Sequence, residues 1–346
     1  MKTRIAFRSL VLGSVAAAAP LTAAAHAQNA PGYRLTRTVP LGPPDRWDYV
    51  VADPETERVY VAHGDRVTVL DAGTGAIVGQ VEGMPGGTHG IAISTATGQG
   101  FTDDGEKAEA VAFDARTLKV LRRVPAADDA DAIARDPATG RVFVVEGDPG
   151  TMTVIDPRTD KVVATIDAGE KMEYLAADRA GHVFVAGEAN GDVLKIDART
   201  AKIVGRWPAP GCTSPHGLAL DEAGQRIFMG CANATMMVVD ARSGRVVAKL
   251  PIGNGSDAVA WDSIRRRVFS SNGRDGTVSV YQQTDPDRYL ALPTIPTVVS
   301  ARNMAVEPRS GRLFVVGADT DPSATPGGRP RIRPGTVRVM IYAPTS

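Results

Sequence analysis

PHGLALD, residues 215–221, has six counterparts spread along the chain: WDYVVAD from Trp47, THGIAIS from Thr88, ADAIARD from Ala130, MEYLAAD from Met172, SDAVAWD from Ser256 and RNMAVEP from Arg302. Taking the second residue of each as a register mark gives Asp48, His89, Asp131, Glu173, His216, Asp257 and Asn303, spaced 41, 42, 42, 43, 41 and 46 residues apart. Self-similarity with a period near 42 is the mark of propellers and solenoids, in which each unit buries its apolar face only against the next.

Outward from the mark, every period runs in the same order. A strand of small residues leads into a turn such as Ala223-Gly224, then into a β-rich run such as RVYVA, RVFVV, HVFVA, RIFMG or RLFVV. A Gly/Asn/Asp loop follows, then VTVLD, MTVID, VLKID or MMVVD, a turn, and a last strand such as KVVATID or RVVAKLP. That makes four short strands per period. No 3.6-residue apolar periodicity competes with them outside the first residues, which excludes helical repeats of similar length. The expected fold is all-β: one seven-bladed β-propeller of four-stranded blades.

The last period ends on VRVMIYAP at Val337, its third strand, and YRLTRTVPLG from Tyr33 stands ahead of the first period with the look of a fourth strand, as KIVGRWPAP has from Lys202. The N-terminal strand is therefore expected to complete the last blade, leaving no open sheet edge at the join. Asp71, Asp114, Asp156, Asp197 and Asp240 recur at the ends of third strands before turns, where a short carboxylate caps the backbone amides that follow. We read them as structural.

Lys2, Arg4 and Arg8 precede an apolar stretch from Leu10 to Ala19 and a small-x-small site at Ala25-His26-Ala27. This pattern predicts a cleavable secretory signal over 1–27, a single propeller over 28–346, and delivery to the bacterial periplasm. No later stretch approaches the roughly 20 apolar residues that a membrane span needs. Without the leader the 39 Lys+Arg and 39 Asp+Glu become a net charge of about −3. Neither this charge nor the 5% aromatic content suits nucleic-acid binding. Cys212 and Cys231 flank one predicted hairpin. An oxidising compartment favours a disulfide between them over two separate buried thiols.

RVFSSNGRDGTVSVY, Arg267 to Tyr281, resembles the YVTN-repeat propellers, the family that includes YncE-like periplasmic proteins, in its strand, Asn-containing loop and Thr-Val-Ser-Val strand. Other blades depart at the Asn, where His63, Asp103, Glu146 and Cys231 stand. Trp47-Asp48 and Trp261-Asp262 fall in first strands, so they are not the WD40 dipeptide. The resemblance implies the fold and leaves the function open.

In a propeller the first strand of each blade lines the central channel, so the seven register residues are expected around one mouth, each histidine between carboxylates of neighbouring blades. Loops between second and third strands are expected to add His63, Asp103, Asp104, Glu146, Glu188, Asn190, Asn233 and Asn272 on the same face. Crowded carboxylates repel unless a cation, protons or basic groups relieve them. One reading is a site for a cationic ligand or a divalent metal (Ca²⁺, Mn²⁺ or Zn²⁺), with His89, His216, Glu173 and Asp257 as the candidate metal ligands. The other is that these residues cap strand-start amides and are solvated. The longest loop, Ala318 to Thr336, carries Arg329, Arg331 and Arg333. We expect it to fold over the mouth, with its guanidinium groups on ring carboxylates or offered to an anionic ligand.

There is no Gly-x-Ser-x-Gly elbow, Walker loop, His-Glu-x-x-His or dinucleotide glycine fingerprint. Five histidines in all are too few for the copper cluster of some seven-bladed reductases. The leading functional reading is a monomeric periplasmic module that binds a small ligand or a protein partner. The alternative is a metal-dependent lactonase-like hydrolase with His89 or His216 as base.

Overall fold

The computed structural model of the chain describes residues 32–323 and 330–345. The leader reading over 1–27 and Arg329 lie outside the described residues. Among the described residues, seven antiparallel sheets stand in a ring; in the first six the strands run in sequence order from the channel outward, and in the seventh the outermost strand comes from the N-terminal end. Their inner strands are Val50–Asp53, Ile91–Ser94, Ala130–Arg135, Met172–Ala177, Pro215–Asp221, Ser256–Asp262 and Asn303–Glu307. Each inner strand touches the next, and the last touches the first. No helix among them is long and apolar enough to cross a membrane.

The ring closes through the N-terminal strand. Tyr33–Pro40 pairs antiparallel with Arg338–Pro344, Tyr33 opposite Pro344 and Pro40 opposite Arg338, as the outermost strand of the seventh blade. Within the sixth blade the third strand, Thr277–Asp285, carries two short outer partners, Arg288–Ala291 and Ile295–Pro296. The interrupted outer strand accounts for the spacing of 46 there. Between the second and third strands of the seventh blade, Thr320–Asp321 pairs with Arg331–Ile332 as a separate two-stranded ribbon. What reads as one long loop is thus partly ordered.

One aromatic per blade, near the start of the second strand, fills the space between neighbouring sheets: Tyr60, Phe101, Phe143, Phe184, Phe228, Phe269 and Phe314, all within 1% of full burial. Burying a ring of this size stabilises by roughly 1.5–3 kcal/mol, so the repeated position holds the blades together as a set. Cys212 and Cys231 form a disulfide that ties the approach to the fifth inner strand to the end of that blade's second strand.

All five recurrent aspartates cap turns. Oδ1 of Asp71, Asp114, Asp156, Asp197 and Asp240 accepts a backbone N–H from Thr74, Thr117, Arg158, Thr200 and Ser243 respectively, at 2.6–3.0 Å. At Asp197 the Thr200 hydroxyl donates to the same oxygen at 2.9 Å. Asp197→Ala is expected to cost about 1 kcal/mol, the worth of an accessible hydrogen-bonded turn. A shift in the urea midpoint, with ligand binding at the mouth unchanged, would show it.

Candidate functional site

The register residues meet where the inner strands begin, and a local backbone device aims them. Pairing of inner with second strand slips between Ala130 and Ile133, Met172 and Leu175, Pro215 and Leu218, and Ser256 and Val259. Asp131, Glu173, His216 and Asp257 each sit inside one of these irregularities. A bulge bends a strand and redirects its side chains, here toward the channel. The amides freed by it need acceptors. In the sixth blade Ser271 Oγ accepts from Ala258 at 3.0 Å; ahead of the second blade's inner strand, which has no such slip, Asp103 Oδ1 accepts both the His89 and Gly90 N–H at 2.8 Å. Gly90 is required for a further reason: a Cβ on it would stand 2.2 Å from the Asp131 carbonyl oxygen of the next blade.

His216 is the hub of one side of the ring. Its Nδ1 lies 3.5 Å from Glu173 Oε1 and 3.6 Å from Asp257 Oδ1, and its Nε2 lies 3.8 Å from Glu188 Oε1. Ser214 Oγ donates to Glu188 Oε1 at 2.8 Å, and Lys171 Nζ stands 3.3 Å from Glu188 Oε2. Tyr49 reaches Glu173 from below, its hydroxyl 3.5 Å from Oε2, and packs edge-on against Tyr174. On the other side His89 Nδ1 meets Asp103 Oδ2 at 2.7 Å, and Asn303 Nδ2 points at Asp48 Oδ1 at 3.5 Å.

The carboxylates are under strain from one another. Burial, then the charges of Glu188 and Asp257, push Glu173 up to about 8. Burial pushes Asp48 up to about 6, with Asp257 adding to the rise and Arg302 opposing it. Burial, then Asp48 and Glu173, hold Asp131 well above the usual carboxylate range. Although burial disfavours its charged form, the Asp103 carboxylate, followed by Asp48 and Asp131, raises His89 to about 10. Burial also works to raise Glu188, but Ser214, Lys171 and His216 outweigh it and bring the group below its ordinary value. The mouth is thus an acid ring whose carboxyls are raised by burial and by one another, with the imidazolium form of His89 favoured by Asp103.

Above the ring lies a cavity of about 540 Å³, bounded by Asp48, His89, His216 and Asp257 below and by Thr320, Pro330 and Ile332 of the ribbon segment. The Gly335 N–H donates to Asp45 at 2.6 Å and anchors that segment to the approach of the first inner strand.

Several expected site residues stand elsewhere. His63, Asp103, Asp104, Glu146 and Asn272 are not in loops; they end the second strands of their blades and are fully buried. His63 Nε2 is 3.1 and 2.9 Å from the carbonyls of Gly42 and Pro44, with Thr68 on its other nitrogen, so it fastens the link between closing strand and first blade. Glu146 accepts from Thr151 and Thr153, and Asn272 donates to Thr277 and Ser279, within their own hairpins. Arg333 pairs with Asp321 at 2.7 Å inside the ribbon, not with the ring, and Arg331 is exposed. The arginine that reaches the ring is Arg302, with Nε 3.6 Å from Asp257 Oδ2 and its guanidinium over the Trp47 ring. It was legible as the charged residue one place before the register mark.

No family model and no curated protein sequence matches this chain. Solved structures do. The RRP9 WD40 repeats are similar at 15% identity and a TM-score of 0.75, over 91% of this chain and 99% of that one. The Myceliophteria thermophila Cps50 (Swd1) β-propeller domain is similar at 13% and 0.72, over 91% and 100%. Kuenenia stuttgartiensis hydrazine synthase is similar at 14% and 0.67, over 78% of this chain and 92% of that one. Likeness at this identity shows the propeller fold and nothing finer.

Proposed function

We propose that this chain is a ligand-binding β-propeller whose channel mouth takes up a positively charged group of a small ligand. The observation that supports it most is the convergence of Asp48, Asp131, Glu173 and Asp257 at one mouth, with Asp48 and Asp257 bordering an open cavity. Asp131 finds no hydrogen-bonding partner among the described residues, and Arg302 is the one arginine near the ring carboxylates at ion-pair distance. At Asp257 capping is not its task, because Ser271 accepts the neighbouring Ala258 amide instead. A cationic guest would lower the mutual repulsion that raises these groups. A periplasmic setting is part of the same proposal, and the leader pattern and the resemblance to YVTN-repeat propellers are what support it.

A divalent cation is the second reading, because Glu173, Glu188 and His216 offer ligand atoms within 4.8 Å of one another. It must compete with Lys171 and Ser214 for Glu188, which favours the organic cation. A lactonase-like reaction would keep only His216 as base, since His89 is held protonated.

A melting scan against primary amines and diamines, and separately against Ca²⁺, Mn²⁺ and Zn²⁺, tests the proposal. An amine is expected to raise the melting temperature of the wild type, and less that of Asp48→Asn. Stabilisation by a metal alone, lost in Glu188→Gln, would replace the first reading by the second. Indifference to every cation would defeat both.

A further inference from the structure

The cavity over the ring has a second chemistry on the side of the first, sixth and seventh blades. Trp47 is only 6% exposed, yet its indole N–H has no acceptor among the described residues. A buried indole N–H ordinarily finds one. Arg302 donates from Nη2 to the Trp47 carbonyl at 3.0 Å, while its Nε is buried with no acceptor at hydrogen-bonding distance. Arg46 and Arg274 border the same cavity, both exposed, with no ion pair among the described residues. Beside Asp48, Asn303, 1% exposed, turns Nδ2 toward the carboxylate and leaves Oδ1 without a donor. Donors lacking acceptors thus border the same cavity as the carboxylates of Asp48 and Asp257.

We infer, resting on the cationic reading above, that the ligand is a zwitterion of the α-amino-acid type, its ammonium in the ring by Asp48, Asp257 and Asn303 and its carboxylate on Trp47 Nε1, Arg302 and Arg274. A simple amine would leave Trp47 Nε1 and Arg302 Nε unsatisfied. A simple anion would leave the ring's repulsion unrelieved. Opposite charges on adjacent carbons answer both, because Asp257 and Arg302 stand only 3.6 Å apart. The planar guanidinium of Arg302, stacked on Trp47 at 5.6 Å, suits a carboxylate better than a point charge would. A cavity of about 540 Å³ is in the range of small-molecule sites and has room for an amino acid with a long side chain.

The test uses molecules that differ only in the carboxylate: L-lysine against cadaverine and L-arginine against agmatine, titrated calorimetrically into the full chain. The amino acid of at least one pair is expected to bind about ten-fold tighter than its decarboxylated partner, the gain of one charge-assisted contact. Arg274→Ala and Arg302→Met should shrink that ratio to about three-fold or less while the amine still binds. Arg274 is exposed and unpaired, so its replacement keeps the experiment decisive even where the Arg302 variant does not fold. Equal binding within both pairs, or a ratio untouched by Arg274→Ala, overturns the zwitterion and leaves the cationic reading standing. Failure of all four compounds to bind overturns both.

Discussion

Asp103→Ala is expected to lower the stability of the propeller by about 3–5 kcal/mol, the range for removing one partner of a buried ion pair. Asp103 is fully buried and every one of its contacts is made inward: Oδ1 with the amides of His89 and Gly90 at 2.8 Å, Oδ2 with His89 Nδ1 at 2.7 Å. Alanine leaves two amides at the strand start without acceptors and an imidazolium without its counter-charge. Asp103→Asn separates the two losses, since its amide oxygen can still accept from the backbone. It should therefore cost less than alanine.

The same pair carries a pH signature. His89 is raised to about 10 in the fold, against an ordinary value near 6.5. A group raised on folding stabilises fully below its unfolded value, and that gain is lost as pH rises through the folded one. The contribution of His89 is thus present below about pH 6.5 and disappears by about pH 10. NMR titration of the imidazole should find it protonated beyond pH 8 in the wild type and titrating lower in Asp103→Asn. An Asp103→Ala protein that unfolds within 1 kcal/mol of wild type would show that the contact has no structural weight.

Residues that obey the period were readable from the chain, and residues that break it were not. The register marks could be placed at one mouth because an inner strand starts at the same point in every blade, and the closing strand could be recognised because the last period lacked one. His63, Glu146 and Asn272 were misplaced because a polar residue just before a glycine looks like the start of a loop. Their strands in fact run on to them, and internal partners such as Thr68, Thr153 and Ser279 make burial affordable. Arg302 and Trp47 meet across the closure of the ring, 255 residues apart, and no local pattern marks such a pair. Nor does any composition rule say that Arg333 will turn to Asp321, a residue of its own ribbon. The bulges that aim Asp131, Glu173, His216 and Asp257 are invisible for a related reason: they follow from how an inner strand fits its neighbour, and several side-chain choices permit them.

Glu173→Gln should make the protein more stable above neutral pH, the reverse of what removing a paired carboxylate does. Tyr49, His216 and Asp257 face Glu173 from other blades, Glu188 and Lys171 from its own, and Asp48 and Asp131 from around the ring. The negative neighbours and burial prevail and raise it to about 8. For a carboxyl raised on folding, the favourable protonated state is fully present below the unfolded value near 4.3, and its contribution is lost as pH climbs through about 8. Wild-type stability should therefore decline from about pH 4.5 to pH 8.5, where ion-paired or hydrogen-bonded carboxylates give the opposite slope. At ~1.4 kcal/mol per unit, discounted for rearrangement of the neighbouring charges, the glutamine variant should gain about 2–3 kcal/mol at pH 9, or roughly 3–5 °C in melting temperature for a chain of this length. Below pH 4 the two proteins should melt together, because glutamine and a protonated glutamate have nearly the same shape and charge. A saturating cationic ligand should abolish the wild-type decline by supplying the missing counter-charge, but act weakly on the variant. Parallel melting curves across pH 4–9 for the two proteins would mean that Glu173 is solvated and that the ring stores no electrostatic free energy for a guest to release.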